Sequence, residues 1–390
     1  MRIVHIITRF IRGGADENTM LSCNAQAEAG HEVHLVYGHE HHPDILSKVD
    51  RRVTLHNEAS LRREIAPLDD VLVTLRLWHV FRQLKPDIVH THTSKAGFVG
   101  RFAAVFARVP IIVHGVHILP FLNVGPGKRL LYWLAEKMLA PYTDAFVDVS
   151  EGMKDECLRA GIGTQANHLV VASGMDIDKF QSALPIQPAT FKALFPDVDV
   201  DLDQAEIVLM VAAFEERKRQ MTFLGEFVEV ARLRPQALLL LAGDGPCRQS
   251  ILDRISELGL AGRVLLLGFR DDIERWMKLA QVCVLASERE GLPRVIVQYA
   301  LAGRPIVATY LPGIEAVVRD KISGYLVTHV QDMRAPVLQL LSDKALAASM
   351  AEASRESDLS AWGVDNMSSQ LDMLYEGLAA KKRKRCSGPT

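Results

Sequence analysis

Cysteine is scarce and unpaired in this sequence: the five, at Cys23, Cys157, Cys247, Cys283 and Cys386, are odd in number and never spaced C-x-x-C. That excludes a disulfide framework and a structural zinc ribbon, and it fits a reducing compartment. Charge of one sign is missing too. Forty-five Lys and Arg stand against 47 Asp and Glu, a formal charge of -2, so no global basic field exists to hold nucleic acid. Aromatic residues are few, at 6%. No apolar run reaches the roughly 18 uncharged residues that a spanning helix needs. The apolar start Met1-Arg-Ile-Val-His-Ile-Ile meets Arg9, Arg12 and Gly13 too soon to be a secretory leader. A cytoplasmic protein is expected. What is present, 390 residues of which 48% are hydrophobic and 24% charged, is the profile of a folded chain of about two domains.

Short apolar runs rich in β-branched residues alternate with longer helical patterns. Runs at 3–8, 32–37, 88–91, 111–114 and 145–149 read as buried parallel strands, with helices over 18–29 and 97–107 between them. This is the pattern of a doubly wound α/β domain. After Phe180 come Pro185, Pro188 and Pro196 and an acidic run from Asp197 to Asp203, a composition suited to a linker. A second alternating series follows at 207–212, 237–241, 264–267, 282–285, 305–308 and 325–327. The predicted organisation is a Rossmann-like domain over 1–182, a linker over 183–205 and a second Rossmann-like domain over 206–360. A helix over 361–380 and a basic tail over 381–390 complete it.

Open parallel sheets bind ligands at the carboxyl ends of their strands, so the turns there are the places to search. In the first domain the first strand runs into Arg12-Gly13-Gly14-Ala15 and then a helix, where glycine permits close backbone approach and the helix start offers N–H groups. In the second, Ala242-Gly243-Asp244-Gly245-Pro246 does the same. Neither is G-x-G-x-x-G, and each taken alone reads equally well as a tight strand-to-helix turn. The stretch Ser287-Glu-Arg-Glu290-Gly291-Leu292-Pro293 is more telling: it follows a strand and opens a helix that ends at Gly303. Amides of Gly291 and Leu292 at that helix start, with Glu290 beside them and Gln298 inside the helix, make an anion site that would hold a diphosphate without a metal.

With these pieces in place the chain resembles the retaining glycosyltransferases of family 4, which have the GT-B architecture of two facing Rossmann-like domains with an inter-domain cleft. The resemblance runs through Gly13-Gly14-Ala15-Asp16-Glu17-Asn18, Pro86-Asp-Ile-Val-His-Thr-His92-Thr-Ser-Lys95, His114-Gly-Val-His117-Ile-Leu-Pro120-Phe121 and Ser173-Gly174-Met-Asp176. It continues through Ala242 to Pro246, Gly268-Phe269-Arg270-Asp271, the Glu290 stretch and Ser323-Gly324. The resemblance implies that Glu290 contacts the transferred sugar, that Gln298 meets the nucleotide ribose, and that the amides of Gly291 and Leu292, ahead of Pro293, hold the diphosphate. It further implies that Lys218, with Arg217 beside it, neutralises phosphate, and that Gly243 and Gly245 border the donor. The backbone at Phe269 and Arg270 would meet the base, and His117 would lie near the sugar from the first domain. Gly13 and Gly14 would lie under the donor, and His92 and Lys95 would face the acceptor. The implied chemistry moves a sugar from a UDP- or GDP-sugar to a glycan acceptor with retention, by a front-face route in which the leaving diphosphate helps deprotonate the acceptor. No metal or other cofactor and no protein nucleophile is then required.

Three positions depart from the family pattern. Gln298 stands where a second glutamate is usual, losing the charge-assisted acceptance of a carboxylate. Ala213 stands where an arginine is common, with Arg217 or Arg219 as substitutes for its charge. Ile118 replaces a glycine after the histidine. Lys218 has a competing reading as the solvated start of a basic helix, and His117 one as a packed core histidine. His39-Glu-His41-His42 lacks the helical spacing of a zinc site, and no metal ligand set is expected. The stretch 127–140 carries cationic and apolar residues at helical spacing, suited to peripheral contact with the inner face of the cytoplasmic membrane or to burial. The tail from Lys381 to Arg385 reads as a solvated end. Two other functions stay open: a non-hydrolysing sugar-nucleotide epimerase, and a degenerate sugar-nucleotide-binding scaffold.

Overall fold

The computed structural model describes residues 1–119, 121, 124–198, 200–291 and 293–386. The chain forms two compact units, one made of Met1–Met175 with the segment from Ser360 onward, the other of Asp176–Leu359. In the first, β1 (Arg2–Ile7), β2 (Glu32–Tyr37), β3 (Thr54–Asn57), β4 (Ile88–His92), β5 (Ile111–Val116), β6 (Ala145–Asp148) and β7 (His168–Val170) form one sheet in the order β3-β2-β1-β4-β5-β6-β7. In the second, β8 (Glu206–Val211), β9 (Ala237–Ala242), β10 (Val264–Gly268), β11 (Val282–Leu285), β12 (Ile306–Thr309) and β13 (Gly324–Val327) are ordered β10-β9-β8-β11-β12-β13. Every strand pairing in both sheets is parallel. Such strands are covered on both faces, which is why β9 reads Ala-Leu-Leu-Leu-Leu-Ala and is buried throughout.

Alternation along β1 assigns its residues to two cores. Val4 and Ile6 join Val73, Leu77 and Phe81 of the Pro67–Leu84 helix and Val99 and Ala103 of the Ser94–Ala107 helix. Ile3, on the other face, joins Met367, Leu371 and Tyr375 of the Val364–Cys386 helix. That last helix therefore belongs to the first unit, where it also packs against the Gly14–Glu28 helix: the Ser22 hydroxyl lies 3.7 Å from the Met367 sulfur. The basic tail continues this helix to Cys386, and Lys382 Nζ meets Asp144 Oδ1 at 2.7 Å, so part of it is an ion-paired helix end and not a solvated tail.

The expected linker is a folded part of the second unit. Pro188 begins the Pro188–Leu194 helix, a position where its missing N–H is harmless, and Phe191 is buried against Trp276 with ring centroids 6.1 Å apart. The strands β3 and β7, which the sequence reading missed, are only four and three residues long and lie at the two sheet edges. The Pro126–Leu139 helix is anchored by a buried ion pair of Arg101 with Glu136 at 2.7 Å and by Trp133 Nε1 donating to the Ala160 carbonyl at 2.9 Å. Its opposite side leaves Leu130, Leu131, Leu134 and Met138 exposed.

Because Leu371 is buried between the sheet and the last helix while Met373 on that helix is exposed, Leu371→Ala is expected to cost about 3 kcal/mol of first-unit stability. Met373→Ala should change it by less than about 0.5 kcal/mol, both read from urea transitions.

Candidate active site

Each sheet contains one place where the strand order reverses, between β1 and β4 in the first and between β8 and β11 in the second. Connections leave these neighbours toward opposite faces and open a crevice at the carboxyl ends of the strands. Ile7 pairs with His92 at the end of one, Met210 with Val284 at the other. The segments that leave these ends are Gly13-Gly14 and Thr93 in the first unit, and the Ala213 to Lys218 and Ser287 to Gly291 turns in the second.

In the second unit the two turns meet through charge. Glu290, with a side chain 11% exposed, receives Arg217 Nη1 on Oε2 at 2.9 Å and Lys218 on Oε1. The Ser287 hydroxyl donates to Oε1 at 3.1 Å. Ser287 is itself placed by Thr309, whose hydroxyl donates to the Ser287 carbonyl at 2.6 Å. A backbone bond from Glu288 N to the Arg217 carbonyl at 2.9 Å closes the turns together. Burial works against the Glu290 carboxylate, yet Lys218 and Arg217 more than offset it and hold its pKa below the ordinary 4.5. Lys218 is drawn down by its own burial, with Glu290 opposing the shift. We take Glu290 as ionised and Lys218 as its cation. Arg217 also meets a second carboxylate, Nε to Glu215 Oε2 at 2.8 Å, so the two cations stand against two carboxylates and the corner is balanced in charge. Of the two arginines offered in place of the missing one at Ala213, Arg217 reaches Glu290, whereas Arg219 turns to Glu288 at 2.5 Å.

The remaining donor-side positions border the same sheet edge. Gly243 has φ +140 and its amide donates to the Gly268 carbonyl at 2.8 Å; any side chain there would strike the Ala212 carbonyl. A Cβ on Gly245 would lie 2.6 Å from the Phe214 carbonyl. Phe269 is exposed, while Arg270 is held flat by paired 2.8 Å bonds to Asp272 with its guanidinium 5.6 Å over the Trp276 ring. Gly291 is buried and Pro293 precedes the Arg294–Leu301 helix, within which Gln298 is half-buried. Tyr299 fixes that helix, its hydroxyl accepting from Val211 N at 2.8 Å and donating to the Val284 carbonyl at 3.3 Å. Leu292 lies outside the described residues, as does Pro120 of the His117 segment.

The first unit builds a neutral counterpart. Gly13 precedes the Gly14–Glu28 helix, its amide donating to Asp16 Oδ2 at 2.9 Å, and Gly14 is exposed. His117 is half-buried just beyond β5 and shares a hydrogen bond of 3.1 Å with His92. His92 is only 2% exposed, so it stands behind His117 and cannot face an acceptor itself. Lys95 grips the Asp70 carboxylate and is also mostly buried, so its charge is spent inside the unit. Ile118 lines a small cavity with Thr93, Ser94 and Gly115. Thr93 itself has φ +64 and ψ 169, a conformation costly for a β-branched residue. No sequence signal marked that strain. His41 and His42 serve locally, His41 against the His39 carbonyl and His42 capping Asp44 N.

Comparison with known proteins agrees with this geometry. Residues 12–179 match the glycosyltransferase family 4 model and residues 205–343 the glycosyl transferases group 1 model. The UDP-Gal:alpha-D-GlcNAc-diphosphoundecaprenol alpha-1,3-galactosyltransferase of Escherichia coli is 28% identical over 273 residues, 69% of this chain and 69% of that protein. EpsD of Bacillus subtilis, a glycosyltransferase by name, is 30% identical over 267 residues, 64% of this chain and 67% of that one. Among solved structures, Anabaena HepE in complex with UDP-glucose superposes with a TM-score of 0.79 at 20% identity, covering 97% of this chain and 100% of that one. WaaG, a glycosyltransferase involved in lipopolysaccharide biosynthesis, superposes with a TM-score of 0.76 at 15% identity, covering 95% and 99%.

Since the folded-state pKa of Glu290 is depressed, the stability it confers is complete above its unfolded value of 4.5 and is lost as pH falls below that value. Glu290→Gln is expected to destabilise the second unit by about 3 kcal/mol at pH 7, because the mostly buried Lys218 loses its anion while Arg217 keeps Glu215. It should also flatten the acid side of the stability curve, which urea midpoints at pH 7 and at about pH 4 will read.

Proposed function

Because the chain belongs to glycosyltransferase family 4, with two parallel-sheet α/β domains of the GT-B type, we propose that it moves a sugar from a UDP- or GDP-sugar to a glycan acceptor, retaining the anomeric configuration and needing no metal. That it is a glycosyltransferase of glycan synthesis follows from the family; the donor, the stereochemistry and the metal independence are our reading. The observation that carries it is the Lys218–Glu290–Arg217 group at the reversal between β8 and β11.

In this reading a donor diphosphate set against Lys218, Arg217 and the amides ahead of the Arg294–Leu301 helix competes with Glu290 for its cations. The carboxylate is then released to accept hydroxyl hydrogens of the sugar. The bond from the anomeric carbon to the diphosphate oxygen breaks while the bond to the acceptor oxygen forms on the same face. The acceptor proton passes to the departing diphosphate. Lys218, Arg217 and the helix amides stabilise charge that grows on that diphosphate, the role divalent cations fill elsewhere. Gln298 accepts a ribose hydroxyl as a neutral amide, so its share of donor affinity is smaller than a carboxylate would give.

For the acceptor, the name of the Escherichia coli relative points to a lipid diphosphate-linked sugar. The exposed Leu130, Leu131, Leu134 and Met138, with Lys128, Arg129 and Lys137 exposed on the same helix, support peripheral contact with an anionic membrane surface. None of the helices searched is long and apolar enough to cross a membrane.

UDP or GDP, in the presence of EDTA, is expected to stabilise the protein by about 2.7 kcal/mol at 100 times its Kd. Lys218→Ala should abolish this shift in thermal denaturation, and Glu290→Ala should abolish only the extra shift that the sugar conjugate adds. A response to metal plus nucleotide but not to nucleotide with EDTA would overturn the metal-free reading. Co-sedimentation with vesicles containing anionic lipid is expected for the wild type and lost in the Leu130→Glu, Leu134→Glu double variant; equal binding by both would dismiss this helix as the contact.

A further inference from the structure

Toward the β7 edge of the first sheet, three side chains of metal-binding type are buried together. Asp148 ends β6, His168 begins β7, and Cys157 lies in the last turn of the Glu151–Arg159 helix that connects those strands. All three are buried, and their ligand atoms, one from each, lie within 4.8 Å of one another. Asp148 Oδ2 is 2.7 Å from His168 Nδ1, and Asp148 Oδ1 receives the Cys157 thiol at 3.8 Å. Sheet register sets Phe146 opposite His168, so Asp148, two residues on, shares their face. The Phe146 ring stacks on His168 with centroids 4.7 Å apart. Ser150 caps the helix by accepting from Met153 N at 3.2 Å, and the helix then brings Cys157 back against the strands. Nothing in the spacing of the three residues marks them as a set.

The far nitrogen of His168, Nε2, lies 3.0 Å from the Ile162 carbonyl, which can only accept. Nε2 therefore carries a hydrogen, and Nδ1 is the atom turned toward Asp148 and Cys157. Proteins aim an imidazole at a metal in this way, with a carbonyl fixing the ring through the other nitrogen. Gly163, at φ +67, keeps the space: a Cβ there would stand 2.4 Å from His168 Nε2. One proton lies between Nδ1 and the carboxylate, and another sits on the thiol, which burial and then Asp148 and Glu136 keep protonated. A dication in place of both protons would face one imidazole, one carboxylate and one thiolate, whose charges cancel its own and offset the cost of burying it. Tetrahedral zinc spaces such atoms about 3.3–3.6 Å apart, so shifts of about 1 Å bring all three onto it. Cys157 and Glu136 also line the small cavity that holds Thr93, Ser94 and Ile118, which gives a fourth position an outlet.

We propose that Asp148, Cys157 and His168 bind one divalent cation of the zinc class, with a water from the cavity as fourth ligand, and that the ion ties β6, β7 and the helix between them. The mixed nitrogen, oxygen and sulfur donors select such an ion over magnesium or calcium. Binding is balanced without electron transfer: one cation enters and two protons leave. The site belongs to the first unit and the Lys218–Glu290–Arg217 group to the second, so the ion has no part in the metal-free transfer proposed above. His5, His90 and His92 also have ligand atoms within 4.8 Å of one another. Those rings are held neutral by burial and offer no charge to offset a dication. Two of them belong instead to a line of hydrogen bonds from His117 through His92 and His5 to Gln26 and Tyr375.

The test is titration of the full chain with cobalt(II) and with zinc. One cobalt per chain is expected, with the visible absorption of a tetrahedral ion and a near-ultraviolet band for charge transfer from thiolate, and zinc should displace it. Calorimetry in two buffers of different ionisation enthalpy should report at least two protons released per zinc. Cys157→Ser should remove the thiolate band, and His168→Gln should weaken zinc binding at least about tenfold. The His41→Ala, His42→Ala double variant, which takes away exposed histidines, should bind as the wild type does. A wild-type cobalt spectrum without the thiolate band, or release of fewer than two protons, would overturn the site whether or not any variant folds. Binding that survives Cys157→Ser and His168→Gln but is lost in the His41→Ala, His42→Ala variant, or in His92→Gln, would place the ion elsewhere and overturn it too. No nucleotide enters these measurements, so the metal site and the donor reading stand or fall separately.

Discussion

A parallel sheet can be extended only through crossovers that keep one hand, and this chain meets that constraint by starting each sheet in the middle and winding outward twice. The reversal between β1 and β4, and again between β8 and β11, is the consequence. Everything functional follows from it. Connections that diverge leave backbone amides and loop side chains uncovered at one strand edge, while the rest of each strand is sealed by helices. The glycines at 13, 14, 243 and 245 and the turn at Ser287 to Gly291 all sit at such edges.

The two units solve the same edge with different chemistry. In the second, three charged side chains are drawn into a partly buried corner, and the arrangement is tolerable only because each cation has an anion and each carboxylate oxygen a donor. In the first, five aligned polar groups, four of them imidazole or amide, satisfy one another in a line behind His117. Charge suits phosphate, which must be recognised strongly and released.

Much of the second unit was legible because its signals are local. The Glu290 stretch carries its strand, turn and helix within a few consecutive residues, so spacing alone places the carboxylate beside a helix start. Lys218 was legible only through resemblance, since its approach to Glu290 needs β8 to lie beside β11. The histidine line was invisible for the same reason. His5, His92 and His117 are scattered in the chain, and their alignment depends on the register of three strands and on two helices from opposite ends of the sequence. His92 and Lys95 were given to the acceptor side by the resemblance, and the structure turns both inward to partners that sequence spacing does not reveal. Proline misled in the opposite direction: Pro188 suggested a linker and instead starts a packed helix.

The last helix carries a consequence for how the molecule is made. Met367, Leu371 and Tyr375 complete a core whose other members, Ile3, Ile88 and Ile111, are synthesised hundreds of residues earlier. During translation the first sheet must wait with one apolar flank bare until residues beyond Ser360 leave the ribosome, whereas the second unit, contiguous from Asp176 to Leu359, can close as soon as it emerges. The later-made unit is thus the first able to finish folding, and in the interval the unprotected flank of the earlier one is the part of the nascent protein that a chaperone would hold.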